Sequence, residues 1–224
     1  PQLVAGPIER ASNLLPQILS KRKFNYKQGV QGLRLIIWGM FKKVAIANPL
    51  GSEVDRIFSN YQMMDGGALL LGLVYFSFQI YCDFSGYSDI AIGLAKLFGI
   101  EIISNFKFPY FSQNPTQFWM RWHISLTSWF RDYLYNPLSL IFLRKGKTII
   151  NKYTPLIITW ILTGLWHGAN NTFIIWGIYW AFVLIIYQLL RENLFRYRKE
   201  NINNKGIYNK IRVVINILFM HVII

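Results

Sequence analysis

The sequence predicts an all-α integral membrane protein, and three observations carry that prediction. Hydrophobic residues make up 53% of the 224-residue chain and aromatic residues 17%. From Tyr153 to Leu190 there is no Asp, Glu, Lys or Arg, a stretch long enough for two membrane passes of roughly 20 residues each. Basic residues crowd both ends of it, with Arg144, Lys145, Lys147 and Lys152 before and Arg191, Arg196, Arg198, Lys199, Lys205, Lys210 and Arg212 after. Charge gathered at the ends of apolar runs marks cytoplasmic loops. A nucleic-acid-binding protein with the same 24 Lys+Arg against 10 Asp+Glu would scatter its charge among amphipathic elements. No nucleic-acid partner is expected.

The elements follow in order along the chain. Pro1 to Lys27, rich in Pro, Asn and Lys/Arg, reads as an interfacial or loop segment. Gly29 to Leu50 is apolar but carries Arg34, Lys42 and Lys43, so it is expected to lie along the interface or dip partway into the bilayer. Ser52 to Gly66 reads as a non-helical or short-helix connection. Gly67 to Ile100 is a long apolar run interrupted by Cys82-Asp83-Phe84-Ser85-Gly86-Tyr87-Ser88-Asp89. Two carboxylates and a glycine are costly in lipid, so a helix break is predicted there, buried in protein or lining water. Asn105 to Pro115 is loop, with Pro109 and Pro115 as breakers.

On a wheel of about 100° per residue, Gln117 to Tyr135 forms one helix. Arg121, Ser125, Ser128 and Asp132 share a stripe, and His123 falls nearly opposite, among Trp119, Leu126, Phe130 and Leu134. A segment so dense in Trp, Arg and hydroxyls fits a re-entrant or tilted helix inside a bundle. Tyr153 to Leu190 is predicted as a hairpin whose turn is Trp166 to Asn171. No internal repeat appears, so residues 1–224 form one membrane domain. It is expected to be incomplete at both ends, since it opens at Pro1 without a methionine and stops inside the apolar run Val213 to Ile224. The single cysteine, Cys82, leaves no disulfide framework and no multi-cysteine zinc site; no metal is expected.

Few residues are suited to chemistry. The first hairpin arm, Tyr153 to Trp166, would span only about 21 Å as a helix, short of the roughly 30 Å hydrocarbon core, which sets His167 within membrane depth. Desolvation there disfavours imidazolium, and a neutral imidazole can take the proton of an attacking hydroxyl. A histidine hydrogen-bonded for packing between helices accounts for the same residue equally well. For His123 the packing reading is the stronger. His221, in the apolar tail, has no constellation around it. Asp83 and Asp89 can bind a cation or orient a histidine, but pairing with Arg or capping the helix break suits them better. The Arg121–Asp132 stripe reads as an internal salt-bridge network. No Ser-His-Asp order or phosphate-cradling glycine loop is present.

Five segments in fixed order carry a resemblance: Pro1-Gln-Leu-Val-Ala-Gly-Pro-Ile-Glu-Arg10, Tyr81-Cys-Asp-Phe-Ser-Gly-Tyr-Ser-Asp89, Phe118-Trp-Met-Arg-Trp-His-Ile-Ser-Leu126, Trp129-Phe-Arg-Asp-Tyr-Leu-Tyr135 and Leu165-Trp-His-Gly168. Together they resemble the membrane-bound O-acyltransferase (MBOAT) family, in its bacterial alginate O-acetyltransferase branch, over essentially the whole chain. The resemblance implies a multi-helix bundle with broken or re-entrant helices around a central tunnel, in a multi-pass protein of the bacterial plasma membrane. It makes His167, in Trp-His-Gly, the catalytic histidine and His123, in Arg-Trp-His, the second functional position. It further implies no permanently bound cofactor, acetyl-CoA as acyl donor, an extracytoplasmic polysaccharide as acceptor and an extracytoplasmic acyltransferase as partner protein. Alginate, peptidoglycan, cellulose and other exopolysaccharides all remain open as acceptors. A D-alanyl transferase of teichoic acids, fed by a carrier-protein thioester, shares both histidine motifs. Outside the class, a transporter or channel using Asp83 and Asp89 or a silent scaffold of a polysaccharide-export complex are the competing readings.

Overall fold

The computed structural model describes residues 6–146 and 148–198 together with Asn216 and Met220. His221, Lys147, the first five residues and most of the basic and apolar tail lie outside the described residues. Helices make up most of the described residues, with no strand among them. They fall into two compact units, Pro1–Phe106 and Lys107–Ile224.

The first unit is built on an antiparallel helix pair. Helix α1, Ala11–Leu19, precedes α2, Tyr26–Met40, whose first turn is capped by the Asn25 side chain accepting from the backbone N–H groups of Lys27 and Gln28. The chain continues as a π-helical segment, Phe41–Ala47, and then α3, Asn48–Ser59. Pro49 accounts for the wide turn. It has no N–H to give, and its ring crowds the carbonyl four residues back, so the helix widens ahead of it rather than stopping. Asp65 caps α4, Gly66–Leu97, by accepting from the Ala68 N–H at 2.7 Å. Glycines set the spacing of α2 against α4. A Cβ on Gly93 would sit 2.5 Å from the carbonyl oxygen of Gly32, and one on Gly86 would sit 2.7 Å from that of Gly39. Such backbone-to-backbone approach is the usual way helices associate in lipid, where apolar side chains gain nothing by leaving the solvent.

The segment from Gly29 to Leu50 is helical throughout and packs along α4. One expectation for this unit is corrected. The predicted break at Cys82 to Asp89 is absent, because α4 runs through it without interruption. The reason is pairing. Lys42 lies 2.6 Å from Asp89 and donates to the Ser85 hydroxyl at 3.0 Å, while Lys43 pairs with Asp83. Neutralised by partners on the neighbouring helical segment, the carboxylates need neither a cap nor water. Ser52 to Gly66, read as a non-helical or short-helix connection, carries most of the short α3, held to α4 where Ile57 meets Gly72.

The second unit also centres on a helix pair. Residues 107–114 form a loop with a short 3-10 turn at Pro109–Phe111, and Asn114 caps the brief α5, Pro115–Trp119. Then come α6, Ile124–Phe130, a π-helical segment Arg131–Tyr135, and α7, Asn136–Arg144. The second π segment also stands just ahead of an Asn-Pro pair, Asn136-Pro137, for the reason given for Pro49. Helix α8, Ile149–His167, capped by Thr148, and α9, Asn171–Arg198, form the predicted hairpin. Its turn is Gly168 to Asn170. Glycines again fix the crossing: a Cβ on Gly177 would lie 2.3 Å from the Trp160 carbonyl oxygen, and one on Gly164 2.2 Å from that of Phe173. The core is aromatic, with Phe118, Trp119, Trp160 and Trp180 buried together against Ala181, Leu184 and Met220.

Two helices among the described residues are long and apolar enough to cross a membrane, Gly66–Leu97 and Asn171–Glu192, with mean hydropathies of 1.4 and 2.1. Their outward faces, including Leu70, Leu73 and Phe76 on one and Ile175, Ile178 and Phe182 on the other, are exposed and apolar. Such surfaces suit lipid, not water.

Candidate active site

The single helix predicted over Gln117 to Tyr135 does not form, and the correction bears on His123. Helix α5 ends at Trp119, a turn follows with Trp122 N–H donating to the Phe118 carbonyl at 2.8 Å, and His123 adopts a left-handed backbone with φ 45° before α6 begins. A left-handed residue resets the helical phase, so positions before and after it share no wheel. Arg121 is thereby separated from Ser125, Ser128 and Asp132, which all follow the reset. Arg121 donates to the Phe111 carbonyl at 3.3 Å, Ser128 to the Ser125 carbonyl at 2.9 Å, and Asp132 pairs with Arg131 at 2.9 Å. A non-glycine residue at positive φ is uncommon, though less so for His than for most residues, and strain of this kind gathers at functional sites.

The bend drives the His123 side chain inward, to 6% exposure. Its ring lies 6.2 Å from that of Trp166. Trp166 in turn meets His167 edge-on, with centroids 5.0 Å apart. His167 is the last residue of α8, and two rings from α9 close around it: Phe173 stacks on it at 6.2 Å and 20°, and Trp176 meets it at 5.1 Å and 77°. Trp176 is itself wedged against Trp119 and Trp160, so the collar is anchored in the buried tryptophan cluster. The two histidines, far apart in sequence, share Trp166 as a ring neighbour. The sequence placed both in buried surroundings. The structure buries His123 and leaves His167 exposed at the hairpin turn, held by rings on several sides.

Gly168 follows His167 with φ 165°, an extended backbone open to any residue. What requires glycine is space. A Cβ there would stand 2.6 Å from the Phe173 ring. Asn170 accepts from the Thr172 N–H at 3.2 Å and its carbonyl from the Phe173 N–H at 3.0 Å, so it starts α9. Asp83 and Asp89 belong to the first unit and to its lysines. Among the described residues no group of three or more His, Cys, Asp or Glu side chains is arranged to hold a metal ion.

Sequence reading missed Phe173 and Trp176. Once the chain is folded about the Gly168–Asn170 turn, residues early in α9 must face the end of α8, and that signal was available. The left-handed backbone at His123 carried only a weak one, since histidine is more frequent there than most residues but still rarely adopts it.

Comparison with known proteins places these motifs. The family model for membrane-bound O-acyltransferases matches residues 1–224. The chain is 44% identical over 190 residues to a probable alginate O-acetylase AlgI of Pseudomonas putida, covering 85% of this chain and 38% of that protein. It is 38% identical over 190 residues to a peptidoglycan O-acetyltransferase of Helicobacter pylori, covering 84% and 35%. A teichoic acid D-alanyltransferase of Streptococcus thermophilus is more distant, at 31% over 196 residues, covering 83% and 47%. The chain therefore spans less than half the length of each of these relatives. With the family model matched from end to end and both histidine motifs within the match, the chain belongs to the membrane-bound O-acyltransferase family.

Proposed function

We propose that this chain carries the catalytic histidines of a multi-pass plasma-membrane O-acetyltransferase. On this reading it moves acetyl groups from cytoplasmic acetyl-CoA, through a tunnel in the full bundle, towards hydroxyls of an extracytoplasmic polysaccharide and with a partner acyltransferase on that side. The observation that carries it is the gathering of His123, Trp166, His167, Phe173 and Trp176 into one cluster. The names of the relatives and the family membership support acyl transfer, and the greater likeness to acetyltransferases than to the D-alanyl branch supports acetyl.

In this mechanism an acceptor hydroxyl attacks the thioester carbon as His167 removes its proton. The tetrahedral intermediate then collapses, the carbon–sulfur bond breaks, and the imidazolium returns the proton to the departing thiolate. Phe173 and Trp176 fix the plane of the His167 ring, and His123 orients substrate or base from its buried position. A positioned base contributes about 10²–10⁴-fold. The test is His167→Gln and His167→Ala in the full-length protein, reading transfer of label from radiolabelled acetyl-CoA to polymer alongside membrane abundance and thermal stability. Folded variants with transfer lowered by that factor are expected. Wild-type transfer by either variant would refute the assignment, and strict dependence of the wild type on a carrier thioester would move it to the D-alanyl branch.

A further inference from the structure

Helix α1 faces the opposite way from a helix on a water-soluble surface. At about 100° per residue, Asn13 and Gln17 fall on one side and Leu14, Leu15, Ile18 and Leu19 on the other. The polar side is turned towards its own unit. Gln17 donates to the Glu101 carbonyl at 3.0 Å and accepts from the Glu101 N–H at 2.8 Å, and Asn13 donates to Glu9 at 2.7 Å. On the apolar side Leu15, Ile18 and Leu19 are exposed and Leu14 is half-buried. No residue of α1 is buried, and Leu19 is 83% exposed.

The chain after α1 continues the pattern. Lys21, Arg22, Lys23 and Lys27 are all exposed, and between them stand Phe24 and Tyr26 at 82% and 75% exposure. No Asp or Glu occurs from Arg10 to Lys27. The neighbouring acids are engaged elsewhere: Glu101 with Lys96 and Gln28, and Glu9 with Asn13 and the Ile103 N–H.

We infer that residues 11–27 form a docking surface for anionic phospholipid headgroups, with the apolar face of α1 sunk into the bilayer interface. Water accounts for the lysines and arginine but not for the leucines, Phe24 and Tyr26. A covering protein segment accounts for the apolar face but would have to bury a run of cations without acids. An anionic bilayer surface satisfies both at once, since it takes apolar side chains at acyl-chain level, aromatic rings at the interface and cations at the phosphates. The inference stands independently of the acyl-transfer reading.

The test places an environment-sensitive NBD fluorophore on Leu19→Cys in the full-length protein, after Cys82 and any other native cysteine are replaced by Ser, reconstituted in phosphatidylcholine alone or mixed with phosphatidylglycerol. The inference expects blue-shifted emission, quenching by doxyl-labelled lipid and protection from iodide in the mixed bilayer, all weaker in phosphatidylcholine. Each basic residue near an anionic surface shifts partitioning roughly fivefold. Lys21→Gln, Arg22→Gln and Lys23→Gln together should therefore lower partitioning about a hundredfold. Iodide access in both bilayers overturns the inference in favour of a solvated helix. Protection from iodide without lipid quenching overturns it in favour of a covering protein segment. Lipid quenching that ignores both headgroup charge and the triple substitution overturns the anionic preference.

Discussion

The two glycine-packed helix pairs treat their polar residues in opposite ways. Between α4 and the Phe41–Ala47 segment that continues α2, the charged side chains are joined as Lys42–Asp89 and Lys43–Asp83, and Ser85 takes a further hydrogen bond from Lys42. In α8 and α9 the long uncharged stretch holds no such pair, and its ion pair, Lys152–Glu192 at 2.5 Å, stands at the open end of the hairpin. What the second pair holds instead is an imidazole gripped by rings. The same close backbone packing therefore supports two different uses. A charge matched by its opposite is committed to holding helices together. An imidazole held by aromatic faces and edges is fixed in space while its proton stays free to move.

The largest effect that would test this contrast is on the Lys42–Asp89 pair. Both side chains are mostly buried, so removing one partner strands the other in low dielectric. Lys42→Met or Asp89→Leu alone should each destabilise the protein by about 3–5 kcal/mol, whereas both together should recover most of that loss. Thermal unfolding of the purified full-length protein and its abundance in membranes measure this. Single variants as stable as wild type would mean that the pair does not hold the Phe41–Ala47 segment to α4.

A smaller effect is expected from filling the glycine contacts. Gly86→Ala and Gly177→Ala each push a methyl group into an opposing backbone carbonyl, which no rotamer can avoid. Overpacking of this kind costs about 1–3 kcal/mol. Gly66→Ala is the control, because nothing lies within 4 Å of its Cβ position. Thermal unfolding should separate the first two from the third. Equal stability in all three would show that the crossings are looser than the backbone approach implies.

How far the sequence could be read depended on the range of the information. The hairpin was legible because both its arms and its turn lie in one continuous stretch, and the Trp-His-Gly motif marked its end. The continuity of α4 was not. Asp83 and Asp89 look intolerable in an apolar helix until Lys42 and Lys43 are set beside them, and that pairing spans some forty residues of sequence. The segment around His123 failed for a local reason, since a wheel assumes one helical phase and the left-handed His123 ends that phase. The π segments ahead of Pro49 and Pro137 shift the phase again. The site was thus legible as a pair of histidines and not as a collar of rings.

The smallest effect discriminates most finely, and it concerns Gly168. A glycine beside a catalytic histidine can let a substrate approach the backbone closely. The structure gives it to Phe173, whose ring occupies the space that a Cβ would take. Because the backbone at 168 is extended, Gly168→Ala should introduce no torsional strain and leave thermal stability near wild type. It should instead shift the Phe173 ring, and with it the face on which His167 stacks. Misplacing a reacting group by 1 Å can cost about 10²-fold; a smaller displacement transmitted through a ring should lower kcat by about tenfold with little change in KM. Phe173→Leu in the same chain should restore part of the rate, since leucine can turn away from the new methyl group. A variant with full activity would show that the ring does not position His167. A variant whose lost activity Phe173→Leu leaves unrescued would return the glycine to the substrate.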